Sequence, residues 1–215
     1  MFYLHHTPWW LRALFPAGCT WQAPAAGGQV YLTFDDGPHP EATPLVLEAL
    51  AAAGMQGTFF CIGKNVDRYP VLYQRILAEG HAVGNHTMLH ANGRHTVTDD
   101  YLQQIAQAGQ RIGSNLFRPP YGQLTRRQAA DLRQRWPQAE CIMWSVLSGD
   151  FDERKTGAYC FAQVKRHLRP GGIVVFHDSA KALPRLREAL PMTLQYLQAK
   201  GWTSAALPSV SVPLV

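Results

Sequence analysis

The sequence predicts an α/β fold, a (β/α) barrel of about seven parallel strands. Three observations carry this expectation. Short apolar runs of β type alternate with segments of helical spacing along the chain, which implies repeated βα units and a mainly parallel sheet. The chain has 215 residues, 47% hydrophobic and 16% charged, ordinary globular values with length for one large core. Asp35-Asp36, His86, Arg118 to Tyr121, Asp150 and His177-Asp178 each follow a strand-like run, and (β/α) barrels carry their chemistry at that edge.

In chain order, Val30 to Phe34 reads as the first strand. A helix is expected from Pro44 to Ala53, with Thr43 as N-cap and Pro44 in the first position. Thr58 to Ile62 is a second strand, and Pro70 to Glu79 a helix that ends at Gly80. His81 to Gly84 is a short strand. Thr98 is expected to cap a helix whose first turn holds Asp99 and Asp100, the favourable end for acidic residues. Leu116 to Arg118 is strand-like, and Thr125 caps a helix to about Arg135. Cys141 to Val146 and Ile173 to Phe176 are further strands, separated by a helix near Ala158–Leu168. A last helix is expected to start near Pro191, with Leu190, Leu194 and Leu197 at core spacing, and Trp202 opens a closing strand. No repeat or low-complexity linker divides the chain.

The net charge is +5, but Lys and Arg are scattered. Arg126, Arg127, Arg133 and Arg135 read as one solvated helix face, and no nucleic-acid motif is present. Four cysteines show no Cys-x-x-Cys spacing; Cys61 and Cys141 lie in apolar runs as small buried hydrophobes. No disulfide framework is implied, and a reducing compartment is allowed. The apolar N-terminus lacks a basic start and is interrupted by Pro8, Arg12 and Pro16, so it is a poor export signal; Ala17-Gly18-Cys19 only faintly resembles a lipoprotein site. No run approaches the ~18 apolar residues of a membrane span. The expectation is a soluble, unexported protein, cytoplasmic by default, with oligomeric state left open.

Asp35 and Asp36 are adjacent carboxylates, which repel one another. Alone they read equally well as a solvated turn. His86-Thr-Met-Leu-His90 places two imidazoles at i and i+4, facing one way on a helical turn. A carboxylate from Asp35 or Asp36 would complete a two-His, one-carboxylate metal site with positions open for water and substrate; two unrelated polar histidines are the plainer reading. Arg118-Pro-Pro-Tyr-Gly122 is a rigid turn in which Arg118 could pair with a carboxylate and the Tyr121 N–H point inward, or else a structural loop. His177 ends an apolar strand and suits a general acid if a carboxylate holds its other proton. Asp178 is adjacent, but neighbouring strand side chains point apart, so Asp150 is the expected partner. His5, His6, His95 and His167 read as surface groups, His81 as packing beneath the metal loop, and His39 as a candidate groove residue.

Taken in order, Thr33-Phe-Asp-Asp-Gly-Pro38, His86-Thr-Met-Leu-His90, Arg118-Pro-Pro-Tyr-Gly122, Trp144 to Phe151 and Val175-Phe-His-Asp178 resemble the polysaccharide deacetylase family, also called the NodB-homology or carbohydrate esterase 4 family. The resemblance runs from about Gln29 to Leu207 and implies a distorted (β/α) barrel with an open groove, in agreement with the alternation. It implies a single catalytic domain over 1–215, with a core of about 29–207 and residues 1–28 as a flanking extension. It also implies that Asp36, His86 and His90 bind a divalent metal, typically zinc. Asp35 would be the general base, oriented by Arg118. The Tyr121 N–H would stabilise the oxyanion with the metal. His177, tuned by Asp150, would protonate the leaving amine. Trp144 and Val175 would line the acetyl pocket, with Pro119 and Tyr121 as further substrate contacts.

The family's fourth stretch often reads Trp-x-x-Asp-x-x-Asp-Trp. Here Leu147 replaces the first Asp and Phe151 the second Trp while Asp150 is kept, so the chemistry is expected to be intact and the groove altered. The expected activity is removal of N-acetyl groups from N-acetylglucosamine units of chitin-like or peptidoglycan-like glycans. An O-acetyl esterase on xylan-like glycans, a deacylase of a small intracellular amide and a non-catalytic glycan-binding relative are the alternatives.

Overall fold

The computed structural model describes residues 3–215. After α1 (Trp9–Leu14) and β1 (Cys19–Thr20), βα alternation sets in with β2 (Gln29–Asp35), α2 (Ala42–Ala53), β3 (Thr58–Cys61), α3 (Gly63–Arg68), α4 (Pro70–Ala78) and β4 (Ala82–Asn85). There follow α5 (Thr98–Gly109), β5 (Leu116–Phe117), α6 (Arg126–Arg135), β6 (Glu140–Ile142) and β7 (Val146–Leu147). The chain ends with α7 (Gly157–His167), β8 (Ile173–His177), α8 (Leu183–Ala199) and β9 (Thr203–Ser204). Every pairing between these strands is parallel. Their order is β1-β6-β5-β4-β3-β2-β8-β7, with β9 beside β2. Among the described residues no helix is long and apolar enough to cross a membrane.

The sheet curls on itself, and the chain between β6 and β7 shows why. The two strands stand near opposite ends of the order. Yet only Met143, Trp144 and Ser145 separate them, which at full extension reach about 14 Å. The ends must therefore come round to meet. The expected single strand from Cys141 to Val146 is thus two half-strands, one paired with β5 and the other with β8. The N-terminal residues close the same seam. The Leu147 N–H donates to the His5 carbonyl and the Thr7 N–H to Ser145, covering the free edge of β7, while β1 covers β6.

Alternation along β2 sorts the core. Val30, Leu32 and Phe34 pack outward against α2 and α8, in the large cluster with Val46, Leu50 and Leu190. Tyr31 faces the interior with Phe60, Leu116, Ile142 and Ile173. Thr33 and Asp35 share that inward face, so the barrel turns from apolar to polar toward the C-terminal ends of the strands.

Three helix boundaries differ from the sequence reading. α2 begins at Ala42, so Thr43 lies inside it; the His39 imidazole accepts from the Glu41 and Ala42 N–H groups instead. α5 includes Thr98 and has no side-chain cap. α8 starts at Leu183 and carries Pro191 within it. Burial of Leu186, Ala189, Leu190, Leu194 and Leu197 along one face outweighs the hydrogen bond that the proline removes. α3 has no sequence signature, because only Gly63 and Val66 of its six residues are buried. Thr125 does cap α6, in a reciprocal capping box with Gln128.

Candidate active site

Asp35 ends β2 and Asp36 follows it, His86 follows β4, Arg118 follows β5, Asp150 follows β7 and His177 ends β8. All are at C-terminal strand ends, and β2 and β8 put Asp35 and His177 in register. Among the described residues, the non-glycine positions with positive φ are Asp36, Thr87, His90 and Tyr121. All four belong to these loops. Left-handed backbone costs such residues about 1–3 kcal/mol each, so the surrounding structure holds them there.

Asp36, His86 and His90 come together as expected, each offering a ligand atom within 4.8 Å of the others. The expected helical turn does not form. Residues 86–90 are an irregular loop, bent by positive φ at Thr87 and His90, which still brings the two rings to 5.0 Å. Asn85 and Thr87 stitch it: the Thr87 N–H donates to the Asn85 side chain, and the Ala91 N–H to the Thr87 hydroxyl. His86 Nδ1 lies 2.8 Å from the Arg118 carbonyl, which can only accept, so Nδ1 carries the proton and Nε2 presents its lone pair. Burial lowers the His86 pKa to about 4, leaving the neutral imidazole that a cation requires. Burial of Asp36 would raise its pKa, but His90, His177 and His86 hold it well below the carboxylate range.

These residues fit a divalent ion. Asp36 Oδ1 is buried without a well-aligned donor, although Nε2 of His90 is 3.2 Å and Nε2 of His86 3.8 Å away. Two imidazole nitrogens and a carboxylate oxygen converging across such gaps, with His86 presenting its Nε2 lone pair, are an arrangement that suits ligands around a cation.

Arg118 is fully buried and ties Asp35 to the barrel. Its Nη1 donates to Asp35 Oδ1 at 2.6 Å and to the Thr33 hydroxyl at 2.7 Å. Nε donates to the Ile142 carbonyl at 3.1 Å and Nη2 to the Met143 carbonyl at 3.2 Å, with the Phe60 ring 4.0 Å from the guanidinium carbon. Across the site, His177 Nδ1 meets Asp150 Oδ1 at 2.7 Å, and the His177 N–H donates to Oδ2 at 2.7 Å. Burial alone would lower the His177 pKa. The Asp150 charge and hydrogen bond, with Asp36 and Asp35 behind them, outweigh it and push the imidazole up to about 10.

Asp178 has a structural role that sequence reasoning missed. Its carboxylate accepts the Gly37 N–H at 3.0 Å and the Thr43 hydroxyl at 2.5 Å, pinning the turn behind the aspartate pair. A Cβ at Gly37 would overlap that carboxylate, which is why the turn needs glycine. Burial pushes the Asp178 pKa up to about 8. The signal lay in the Asp-Gly pair, whose packing partner is distant in sequence. His39 caps α2, and His81 packs on Phe59 with its Nδ1 accepting from the Gly57 N–H.

Of the expected substrate contacts, Tyr121 is exposed with its ring 4.6 Å from His90. Trp144 is half-buried against Gly122, Pro119 is buried, and Val175 lies beneath His177 on the inward face of β8 at 1% exposure.

The polysaccharide deacetylase family matches residues 22–135. A peptidoglycan-N-acetylglucosamine deacetylase of Bacillus cereus is 31% identical over 199 residues, covering 89% of this chain and 92% of its own length. The chain belongs to the polysaccharide deacetylase family. A chitooligosaccharide deacetylase of a Bradyrhizobium strain is 33% identical, covering 84% of this chain and 90% of its own. The crystal structure of a peptidoglycan N-acetylglucosamine deacetylase in complex with 4-naphthalen-1-yl-N-oxidanyl-benzamide matches at TM-score 0.83 and 29% identity, covering 89% of this chain and 91% of that one. The family profile stops before Trp144 and His177, whereas the structural match extends over most of the barrel.

Proposed function

We propose that this polysaccharide deacetylase family member hydrolyses N-acetyl groups from N-acetylglucosamine units of peptidoglycan-like or chitin-like glycans. One observation carries the reading: the Asp36, His86 and His90 ligand set is flanked by a carboxylate fixed by an arginine and an imidazole fixed by a carboxylate. The names of the relatives supply the bond and the sugar.

Asp35 takes the proton from the attacking water. Arg118 orients it through a short ion pair in a buried setting, so the accepting oxygen does not wander. His177 is protonated at neutral pH and gives its Nε2 proton to the departing amine, while Asp150 keeps Nδ1–H in place. The Tyr121 N–H serves the developing oxyanion, a contact of the kind that contributes about 3–4 kcal/mol. Trp144, Val175 and Pro119 shape the acyl pocket. Asp36, His86 and His90 would hold a divalent ion, with zinc suited to the nitrogen-rich set, and the ion would supply Lewis-acid polarisation and lower the pKa of water toward ~7.

The test is acetate release from a short N-acetylglucosamine oligomer by metal-stripped protein and by the same protein reloaded with zinc. Release restored by zinc is expected. Stoichiometric zinc uptake with no release would overturn the assigned substrate while leaving the ligand set standing.

A further inference from the structure

Cys19 of β1 and Cys141 of β6 are register partners on adjacent parallel strands. Their Sγ atoms are 3.3 Å apart. Adjacent strands lie about 4.8 Å apart, within the Cα separation of about 4.4–6.8 Å that a disulfide bridges. Register partners project from the same face, so no backbone movement is needed to join them. They are 122 positions apart in the chain, and nothing in that spacing reveals the pair. The other two cysteines, Cys61 and Cys160, are buried, and the thiol of Cys61 points to the Phe59 carbonyl.

We infer that Cys19 and Cys141 are an oxidisable pair that a small-molecule disulfide such as glutathione disulfide converts to an intramolecular cystine. The Cys19 thiolate attacks one sulfur of glutathione disulfide, and the first glutathione leaves as a thiol. The Cys141 thiolate then attacks the Cys19 sulfur of the mixed disulfide and releases the second. The two cysteines lose two protons and two electrons, and glutathione disulfide takes up both. The neighbourhood sets this order. Cys19 is half-buried whereas Cys141 is buried. The Cys141 hydrogen bond lowers the Cys19 pKa, burial opposes it, and the Arg133 charge adds to the lowering. Its hydrogen bond with Cys19 and its burial raise Cys141. Arg133 is anchored there by the Ala17 carbonyl. The first is the attacking thiol and the second the resolving one.

The link would fasten the N-terminal segment to the strand that holds Arg118. Ile142 and Met143, which follow Cys141, give Arg118 its two backbone acceptors, and the Met143 N–H donates to Thr20. The loop closed between Cys19 and Cys141 contains Asp35, Asp36, His86, His90 and Arg118.

The experiment incubates the 215-residue chain with glutathione disulfide, counts free thiols in denaturant and maps cross-linked peptides by mass spectrometry. The expected result is a fall from four free thiols to two, a single Cys19–Cys141 peptide, and a melting temperature raised by several degrees that dithiothreitol restores. Cys19→Ser, at the half-buried partner, abolishes link and shift together; Cys141→Ser, if it folds, does the same. Four remaining thiols, a glutathione adduct on Cys19 that never resolves, or a link to Cys61 or Cys160 would overturn the inference.

Discussion

The two ion pairs that flank the candidate metal ligands are built on opposite principles. In the first the cation is the immobile partner: four donor bonds tie Arg118 to Asp35, Thr33 and the Ile142 and Met143 carbonyls. In the second it is the carboxylate: Asp150 is fully buried and spends both oxygens on the ring and backbone N–H of His177. Arginine keeps its charge at any working pH, whereas histidine can release its proton. Under the proposed mechanism a base must be aimed and an acid must discharge, and each pair fixes the partner that is not asked to react.

The largest effect is expected on breaking the first pair. Arg118→Met fills similar space but leaves Asp35 buried and uncompensated, at about 3–5 kcal/mol in urea unfolding, and acetate release is lost. Asp35→Asn keeps the shape and removes the base, lowering acetate release by about 10²–10⁴ with far less loss of stability. If both variants unfold alike, Asp35 is a structural anchor and the comparison fails.

The second pair is sharpened by a change of leaving group. His177→Ala is expected to slow amide hydrolysis by about 10²–10⁴ and hydrolysis of an activated acetate ester much less, because an alkoxide of low pKa departs without a proton. Equal losses on both substrates would show that His177 does more than donate a proton. An intact ester rate beside a lost amide rate would confine it to that role.

The His177–Asp150 pair was legible from residue types at strand ends, where period-two alternation decides direction, whereas the residues left the carboxylate partner of Arg118 open and only the family resemblance pointed to Asp35. The separation of Asp150 from Asp178 as partners of His177 follows from the same alternation, and Asp178 goes instead to Gly37 and Thr43. The seam was not legible. Cys141 to Val146 reads as one apolar strand, and only its pairing with β5 on one side and β8 on the other shows the break. The loop from His86 to His90 gives the right pair of imidazoles from the wrong local structure. Its positive φ at Thr87 and His90 goes with a local bond from the Thr87 N–H to the Asn85 side chain and a distant one from the Leu89 N–H to the Gln104 side chain, and no local pattern encodes the second. The long α8 escaped for a related reason, since its core face outweighs the proline that marks a helix start elsewhere.

Titration separates the pairs next. With a pKa near 10, His177 keeps its proton through neutral pH. A raised imidazole contributes stability in full below its ordinary value of 6.5 and loses it as pH rises through about 10. The alkaline limb of kcat/KM for the amide should therefore lie well above 6.5, below 10 to the extent that a bound dication cancels the pull of Asp36 and Asp35. Asp150→Asn removes the main opposing charge, so burial prevails and the limb moves to lower pH while the metal content stays the same. A pH profile unmoved by Asp150→Asn would mean that His177 is not the titrating acid.

The smallest effect tests whether the second pair ends at Asp150. The Phe151 ring meets the His177 ring edge at 5.4 Å and the Tyr3 ring at 4.9 Å. Tyr3 in turn donates to Asp152, and these residues with Arg154 and Lys181 border an open cavity of about 270 Å³. Phe151 forms no hydrogen bond to His177, so its contact is packing, and its half-buried ring borders the cavity, which on the proposed function is a wall of the substrate groove. Phe151→Trp enlarges that wall without touching the charges. It should change KM for longer oligomers by less than tenfold and leave kcat and the alkaline limb in place. A fall in kcat together with a shifted limb would show that the aromatic contact positions His177, making that side of the site a three-residue device while Arg118 and Asp35 remain a pair.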